Sequence, residues 1–336
     1  MDLPGDRNGA MRTAVVPSMS FLRLTLLASL VACVRSEPPG LAPLATDHQL
    51  VTTDSVRLYY RVVGEGPETV IVPLALFHTT RLDRLARHRR LVLYDPRGRG
   101  RSDTVPARKI SLEHNLRDLE AIRAAVGAER VALIGWSGLG MELFVYTLRH
   151  PERVTRLVQL APVAPRWAPW VDSLGADRAR RTDSTALAAL RTREVRGEFR
   201  NDPAGHCRAR AAVYTPPTFG DPSMARLAPD VCGYLTEWPD RIGGYFGALM
   251  HSIEGFNWTD SLSRAARIPR LVIHGARDNT PVEGNREWVA GQPNARLLVV
   301  EGAGHWPHYE QPDVVLPGIE RFLNGGWPEG VDSSIR

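Results

Sequence analysis

The stretch that most constrains this chain is Val131-Ala132-Leu133-Ile134-Gly135-Trp136-Ser137-Gly138-Leu139-Gly140. Four leading apolar residues, partly β-branched, predict a buried strand, and Met141, Phe144, Val145 and Leu148 then recur at helical spacing as far as Pro151. Ser137 falls on the turn between the two. A serine hydroxyl is a poor nucleophile unless it is held exposed beside a base, with backbone N–H groups aimed at the charge that develops during attack. A tight turn flanked by glycines projects Ser137 out of the sheet and leaves the N–H of Gly138, at the start of the helix, free to face an oxyanion. The pattern departs from the usual G-x-S-x-G elbow, because Leu139 stands at the second glycine position and Gly140 follows one place later. The plainer alternative is a serine that only caps the helix.

The rest of the chain supplies strands and helices to surround that turn. Gln49 to Val63, broken by Thr53-Asp54-Ser55, reads as a hairpin, and Thr69 to Val72 as a short buried strand. The segment after it, Pro73-Leu74-Ala75-Leu76, offers the N–H of Ala75, or of Leu74 beside it, as a second oxyanion donor. Arg90 to Tyr94 is the next strand. Ser111 then caps a helix with Leu112, Leu116, Leu119, Ile122 and Val126 on one face, closing at Gly127. After the Ser137 turn, Val154 to Leu160 forms another strand. This alternation predicts an α/β fold: a mostly parallel sheet with helices on both faces, whose ligands bind at the carboxyl ends of the strands.

Between Ala161 and about Arg267 the rhythm breaks. Helical pieces (Ala176 to Phe199, Asp240 to Ile253), a Tyr214-Thr215-Pro216-Pro217 joint and Trp167, Trp170, Trp238 and Trp258 read as an inserted helical cap, residues 162–267. The sheet resumes with Arg270 to Asp278, where a carboxylate ends a buried strand, and Arg296 to Val300 delivers Glu301-Gly302-Ala303-Gly304-His305. Pro312 to Leu323 is the final helix. The core is thus expected over residues 47–161 and 268–326.

The turn after Arg90–Tyr94, matching D-x-R-G-x-G-x-S through Asp95, Arg97, Gly98, Gly100 and Ser102, resembles that of the α/β-hydrolase fold family; these residues read as structural. Serine, then acid, then histidine is the order of that family's triad. The resemblance implies Ser137 as nucleophile, His305 as base and Asp278 as the acid that orients it. His308 is the rival base, and His274, inside a strand, reads as structural.

His150-Pro151-Glu152-Arg153-Val154, the Asp95 turn, Gly302 to His305 and the cap position look like the branch of proline iminopeptidases and related ester hydrolases, over roughly residues 50 to 325. The resemblance implies a small-molecule or short-peptide substrate. It also implies cap acids that hold a free amino terminus, with Glu237 beside Trp238, and Glu254, as candidates. Trp136, next to the nucleophile, is a further candidate for substrate contact. Epoxide hydrolases and dehalogenases need a carboxylate where this chain has Ser137. A carbon–carbon bond or lactone hydrolase, a ligand-binding protein with an idle triad and a membrane-associated lipase are the other readings of the same fold. No cofactor or metal is implied, since neither a phosphate-cradling glycine loop nor a metal-ligand cluster is evident.

The net charge is +5, yet Lys109 is the only lysine among 42 basic residues and the arginines are scattered without an aromatic stacking platform, which argues against a nucleic-acid partner. At the amino terminus, Arg23 precedes the apolar run Leu24 to Ala32, too short to span a bilayer and read as part of a signal peptide over residues 1–33. Leu30-Val31-Ala32-Cys33 resembles the bacterial lipobox, which implies lipidation of Cys33, export and a membrane tether; plain secretion and a cytoplasmic enzyme are the alternatives. Residues 34–46, with Pro38, Pro39, Gly40 and Pro43, read as a flexible tether. Export would favour pairing of Cys207 with Cys232, whose spacing permits a bridge or two buried thiols alike.

Overall fold

A sheet of eight strands organises the chain: β1 (Ala45–Val51), β2 (Arg57–Val63), β3 (Thr69–Pro73), β4 (Arg90–Tyr94), β5 (Val131–Trp136), β6 (Val154–Leu160), β7 (Arg270–Gly275) and β8 (Ala295–Val300), in the spatial order β1-β2-β4-β3-β5-β6-β7-β8. The computed structural model describes residues 44–332. The expected signal peptide, Cys33 and most of the tether lie outside the described residues. One tether boundary is corrected: Ala45 and Thr46 are strand, paired with Val63 and Val62.

β1, β2 and β4 pair antiparallel, and every strand from β4 through β8 runs parallel to its neighbour. β3, β5 and β7 are buried at every position, as apolar strands covered on both faces must be. Their side chains alternate between two apolar layers. Val70, Val72, Ala132 and Ile134 join Val315, Ile319 and Phe322 on one side, while Ile71, Val131 and Leu133 join Leu116, Leu119, Met141 and Phe144 on the other. The flanking helices follow from this. A one-turn α1 (Ala75–His78), α2 (Leu112–Ala125) and α3 (Gly138–Arg149) precede the insertion.

Between β6 and β7 come α4 (Trp170–Arg181), α5 (Ser184–Val195), α6 (Pro203–Tyr214) and α7 (Pro239–Ser252). The single helix expected over Ala176 to Phe199 is broken at Thr182 because the Asp183 side chain accepts the N–H groups of Thr185 and Ala186 at 2.8 and 3.1 Å, starting a new helix. Sequence reading missed α6, although Asp202 followed by Pro203 is a capping signal; the Asp202 carboxylate accepts the Gly205 N–H at 2.8 Å. Cys207, on α6, and Cys232 form a disulfide, with Cα atoms 5.6 Å apart. Three helices complete the chain: α8 (Val282–Arg286), α9 (Pro307–Glu310) and α10 (Pro312–Leu323). No helix among the described residues is long and apolar enough to cross a membrane.

Candidate active site

Ser137 sits between β5 and α3 with φ 57° and ψ −131°. For a residue with a Cβ this conformation costs about 1–3 kcal/mol, and it persists because both neighbours are pinned. The Ser137 N–H donates to Leu160 O at 2.9 Å and the Gly140 N–H to Ser137 O at 3.0 Å. A Cβ on Gly135 would lie 2.8 Å from Leu139 O, and one on Gly140 3.0 Å from Pro162 Cβ. The second close-packing glycine is therefore Gly140, which frees Leu139 to carry a side chain on the cavity wall.

His305 Nε2 is 2.9 Å from Ser137 Oγ, and His305 Nδ1 is 3.0 and 3.1 Å from the two Asp278 carboxylate oxygens. Asp278 also accepts the Thr280 N–H at 3.0 Å. Burial would push the Asp278 carboxyl up, but facing His305 and this N–H holds it below its ordinary pKa, so it is an anion beside the ring. The His305 backbone is clamped at both ends: its N–H donates to Thr218 O at 2.8 Å, and the Trp136 indole donates to its carbonyl at 2.7 Å. Thr218 belongs to the insertion, which therefore helps to set the histidine. The Glu310 carboxylate reinforces this join, accepting from Gly304 N and Gly220 N at 2.8 and 2.7 Å. A sequence in which the cap is a separate lid gives no signal for either residue.

The first N–H groups of a helix lack intrahelical acceptors, which leaves those of Gly138 at the start of α3 and Ala75 at the start of α1 without an intrahelical partner. The Leu76 N–H is taken by Asp95 Oδ1 at 2.9 Å. Leu74, at φ 65°, turns the chain into α1 in a conformation that glycine would adopt more cheaply. Both Leu74 and Gly138 line a cavity of about 400 Å³ that also contains Ser137, His305, Trp136 and Glu142.

The proposed substrate contacts divide. Trp136 is on the cavity wall. Glu237 is there too, but its carboxylate is held by Arg99 in two bonds of 2.9 Å and by the Gly100 N–H at 3.0 Å, which leaves it little capacity for an amine. Trp238 is a correction: its indole donates to Cys232 O at 3.1 Å, fixing the disulfide loop, and it is not part of that wall. Glu254 is exposed beside His251 at 3.7 Å, also away from the wall. His308 is buried against His78 with both ring nitrogens unpartnered; burial holds its pKa well below the ordinary value, so it stays neutral and does not touch Ser137. His274 is bonded to Asn285 at 2.8 Å inside the core. Asp95 accepts the N–H groups of Leu76 and Arg101, as its turn role requires.

Glu142 was not foreseen. It is buried on α3, accepts from Asn115 Nδ2 at 2.9 Å, and is pushed by burial to a pKa of about 7. Helical spacing placed it among apolar neighbours, so only its charge could have marked it. No group of three or more His, Cys, Asp or Glu side chains among the described residues could hold a metal ion.

Residues 75–312 match the family described by the α/β hydrolase fold. The chain belongs to that family. Epoxide hydrolase A of Mycobacterium tuberculosis is 27% identical over 320 residues, covering 84% of this chain and 98% of the relative. A proline iminopeptidase of Lactobacillus helveticus is 26% identical over 292 residues, covering 79% and 94% respectively. Among solved α/β-hydrolase structures, a serine hydrolase from the polyaromatic-hydrocarbon-degrading bacterium Cycloclasticus zankles superposes with a TM-score of 0.63 at 20% identity, over 84% of this chain and 98% of that one. This α/β hydrolase is accordingly a hydrolytic enzyme by family.

Proposed function

We propose that this α/β hydrolase cleaves a small ester or amide through an acyl-enzyme on Ser137. The observation that carries the reading is the continuous line from Asp278 through His305 to the Ser137 hydroxyl, each link 2.9 to 3.1 Å. In this cycle Ser137 Oγ attacks the scissile carbonyl carbon while its proton passes to His305 Nε2. Asp278 holds the opposite ring N–H and offsets the imidazolium charge. The carbonyl oxygen, now an anion, accepts from the N–H groups of Gly138 and Ala75. The C–O or C–N bond then breaks as His305 returns the proton to the departing alcohol or amine, and water repeats the attack on the acyl-enzyme to release the acid. An active-site fluorophosphonate should label Ser137 and no other residue; label that persists in Ser137→Ala would overturn the assignment. A protein that folds but takes no label would be a ligand-binding member with an idle triad.

Within that class the site supports esters over amino-terminal peptides. A proline-iminopeptidase activity calls for cap acids that hold the free amino terminus, and Glu237, the cap acid on the cavity wall, is already committed to Arg99. Rates on aminoacyl-naphthylamides against short- and long-chain nitrophenyl esters separate the two, and a lactone or carbon–carbon substrate panel tests the remaining chemistries of the same triad.

We further propose export with lipid attachment at Cys33. The Cys207–Cys232 disulfide supports this reading, since such bonds persist in oxidising compartments. Cys33→Ser should shift the expressed protein out of the detergent phase; wild-type protein recovered uncleaved from the cytosol would sink the idea.

A further inference from the structure

A second cavity, of about 630 Å³, opens in the cap and shares Arg178, Tyr214, Glu237, Ile242 and Phe246 with the wall of the Ser137 cavity. Its own lining adds Arg191 and Arg210. Three guanidinium groups thus face one chamber. Arg210 is answered by Glu194 at 3.1 Å. Arg178 donates only to the Tyr214 carbonyl, at 3.0 Å, and Arg191 has no polar partner among the described residues. The single acid on the wall, Glu237, is spent on Arg99. Arg178 and Arg191 are both exposed to solvent where they line this chamber, so an anion entering it can reach them. Elsewhere in this arginine-rich chain the cap cations that meet the sheet are answered by acids, as Arg166 is by Glu287 at 2.6 Å and Arg181 by Asp177 at 2.6 Å. An uncompensated pair of cations along the approach to a nucleophile is an electrostatic arrangement for an anion.

We propose that this chamber is a carboxylate-accepting vestibule, so that the substrate whose scissile carbonyl reaches Ser137 carries a second, ionised carboxylate held by Arg178 and Arg191. The inference rests on the hydrolase reading and narrows it to acid-bearing esters or amides. A guanidinium presents paired N–H donors that match the two oxygens of a carboxylate, whereas a neutral ester arm in the same chamber would leave both cations to solvent.

The test compares matched esters on the full chain. On the acyl side these are mono-4-nitrophenyl adipate and its methyl ester; on the leaving side, 4-acetoxybenzoate and its methyl ester. On the side that reaches the vestibule, kcat/KM should favour the anion by roughly tenfold, carried mainly in KM, and the ratio should shrink as salt rises to about 0.5 M. In Arg178→Gln/Arg191→Gln the anionic-to-neutral ratio should fall to near one, while Arg178→Lys/Arg191→Lys should restore part of it. A ratio near one for both wild-type pairs, or an anionic preference that survives the double glutamine variant, overturns the vestibule. Fluorophosphonate labelling of Ser137 in the same preparation reports the hydrolase reading separately: labelled protein without anionic preference refutes the vestibule alone, and unlabelled protein refutes the reading beneath it.

Discussion

Replacing Glu142 by Gln should stabilise the protein increasingly as pH rises above about 5, and hardly at all at pH 4. Glu142 is 2% exposed, and burial lifts its carboxyl from 4.5 to about 7. A folded-state pKa raised above the unfolded one means that the folded protein resists ionisation, so the group costs stability at high pH and the cost vanishes as pH falls through the folded pKa towards the unfolded one. At 1.36 kcal/mol per unit, the shift corresponds to a cost of about 3 kcal/mol at pH 8, about 2 kcal/mol at pH 6 and nearly none at pH 4. The amide keeps the shape, and its oxygen still accepts from Asn115 Nδ2, now 2.9 Å from the carboxylate. Urea melts of wild type and Glu142→Gln at these three pH values should therefore diverge as pH rises. In thermal melts near pH 8 the variant should unfold about 5 °C higher, since a chain of this size gains roughly 2 °C per kcal/mol. Other buried acids, such as Asp95 at about 6, are common to both proteins and cancel in the difference. A variant no more stable than wild type at pH 8, or one equally stabilised at pH 4, would refute the claim that desolvation dominates at Glu142.

Ser137→Ala should remove turnover by a factor of order 10⁴ to 10⁶, and Asp278→Asn should keep the fold while lowering kcat by roughly 10⁴, because the ring then prefers the wrong tautomer; near-normal kcat in the Asn variant would send the orienting role to another acid. The Cys207–Cys232 bridge spans 25 residues and restricts the unfolded chain by about 3.5 kcal/mol on the loop-entropy scale. Reduction should lower the melting temperature and alter substrate preference in the cap more than it harms hydrolysis of a small ester. Two thiols titrating from these positions in denatured, unreduced protein would remove the bridge from the account. Arg270 is fully buried at the start of β7 with Nε and Nη1 unpartnered, only Gln292 at 3.3 Å for Nη2 and the Phe144 ring 5.1 Å away, and burial lowers its pKa to about 10. Arg270→Met should stabilise by about 1–3 kcal/mol in urea at pH 7, and a destabilised variant would show that the ring contact outweighs the desolvation cost.

The local code of this chain determined its sheet. Apolar runs of five to seven residues ended by glycine, proline or aspartate, such as Thr69–Pro73 and Arg270–Gly275, can only be strands covered on both faces, and the helices between them carry their apolar stripe on one side. Because each strand end is set by the same pattern, Ser137, Asp278 and His305 were legible as three residues at the carboxyl edge of one sheet. What the sequence could not determine is what long-range pairing decides. Asp202-Pro203 and Asp183 start cap helices through local bonds, yet which way those helices face follows from packing against distant residues. Glu237 resembled a free cap acid until the fold brought Arg99, 138 positions away in sequence, to within 2.9 Å of it. Thr218, Glu310 and the orphan cations Arg178 and Arg191 likewise acquire meaning only where the cap meets the His305 loop and the Ser137 cavity. A charge has a function or a cost according to its desolvation and its neighbours, and both are properties of the folded chain rather than of any segment of it.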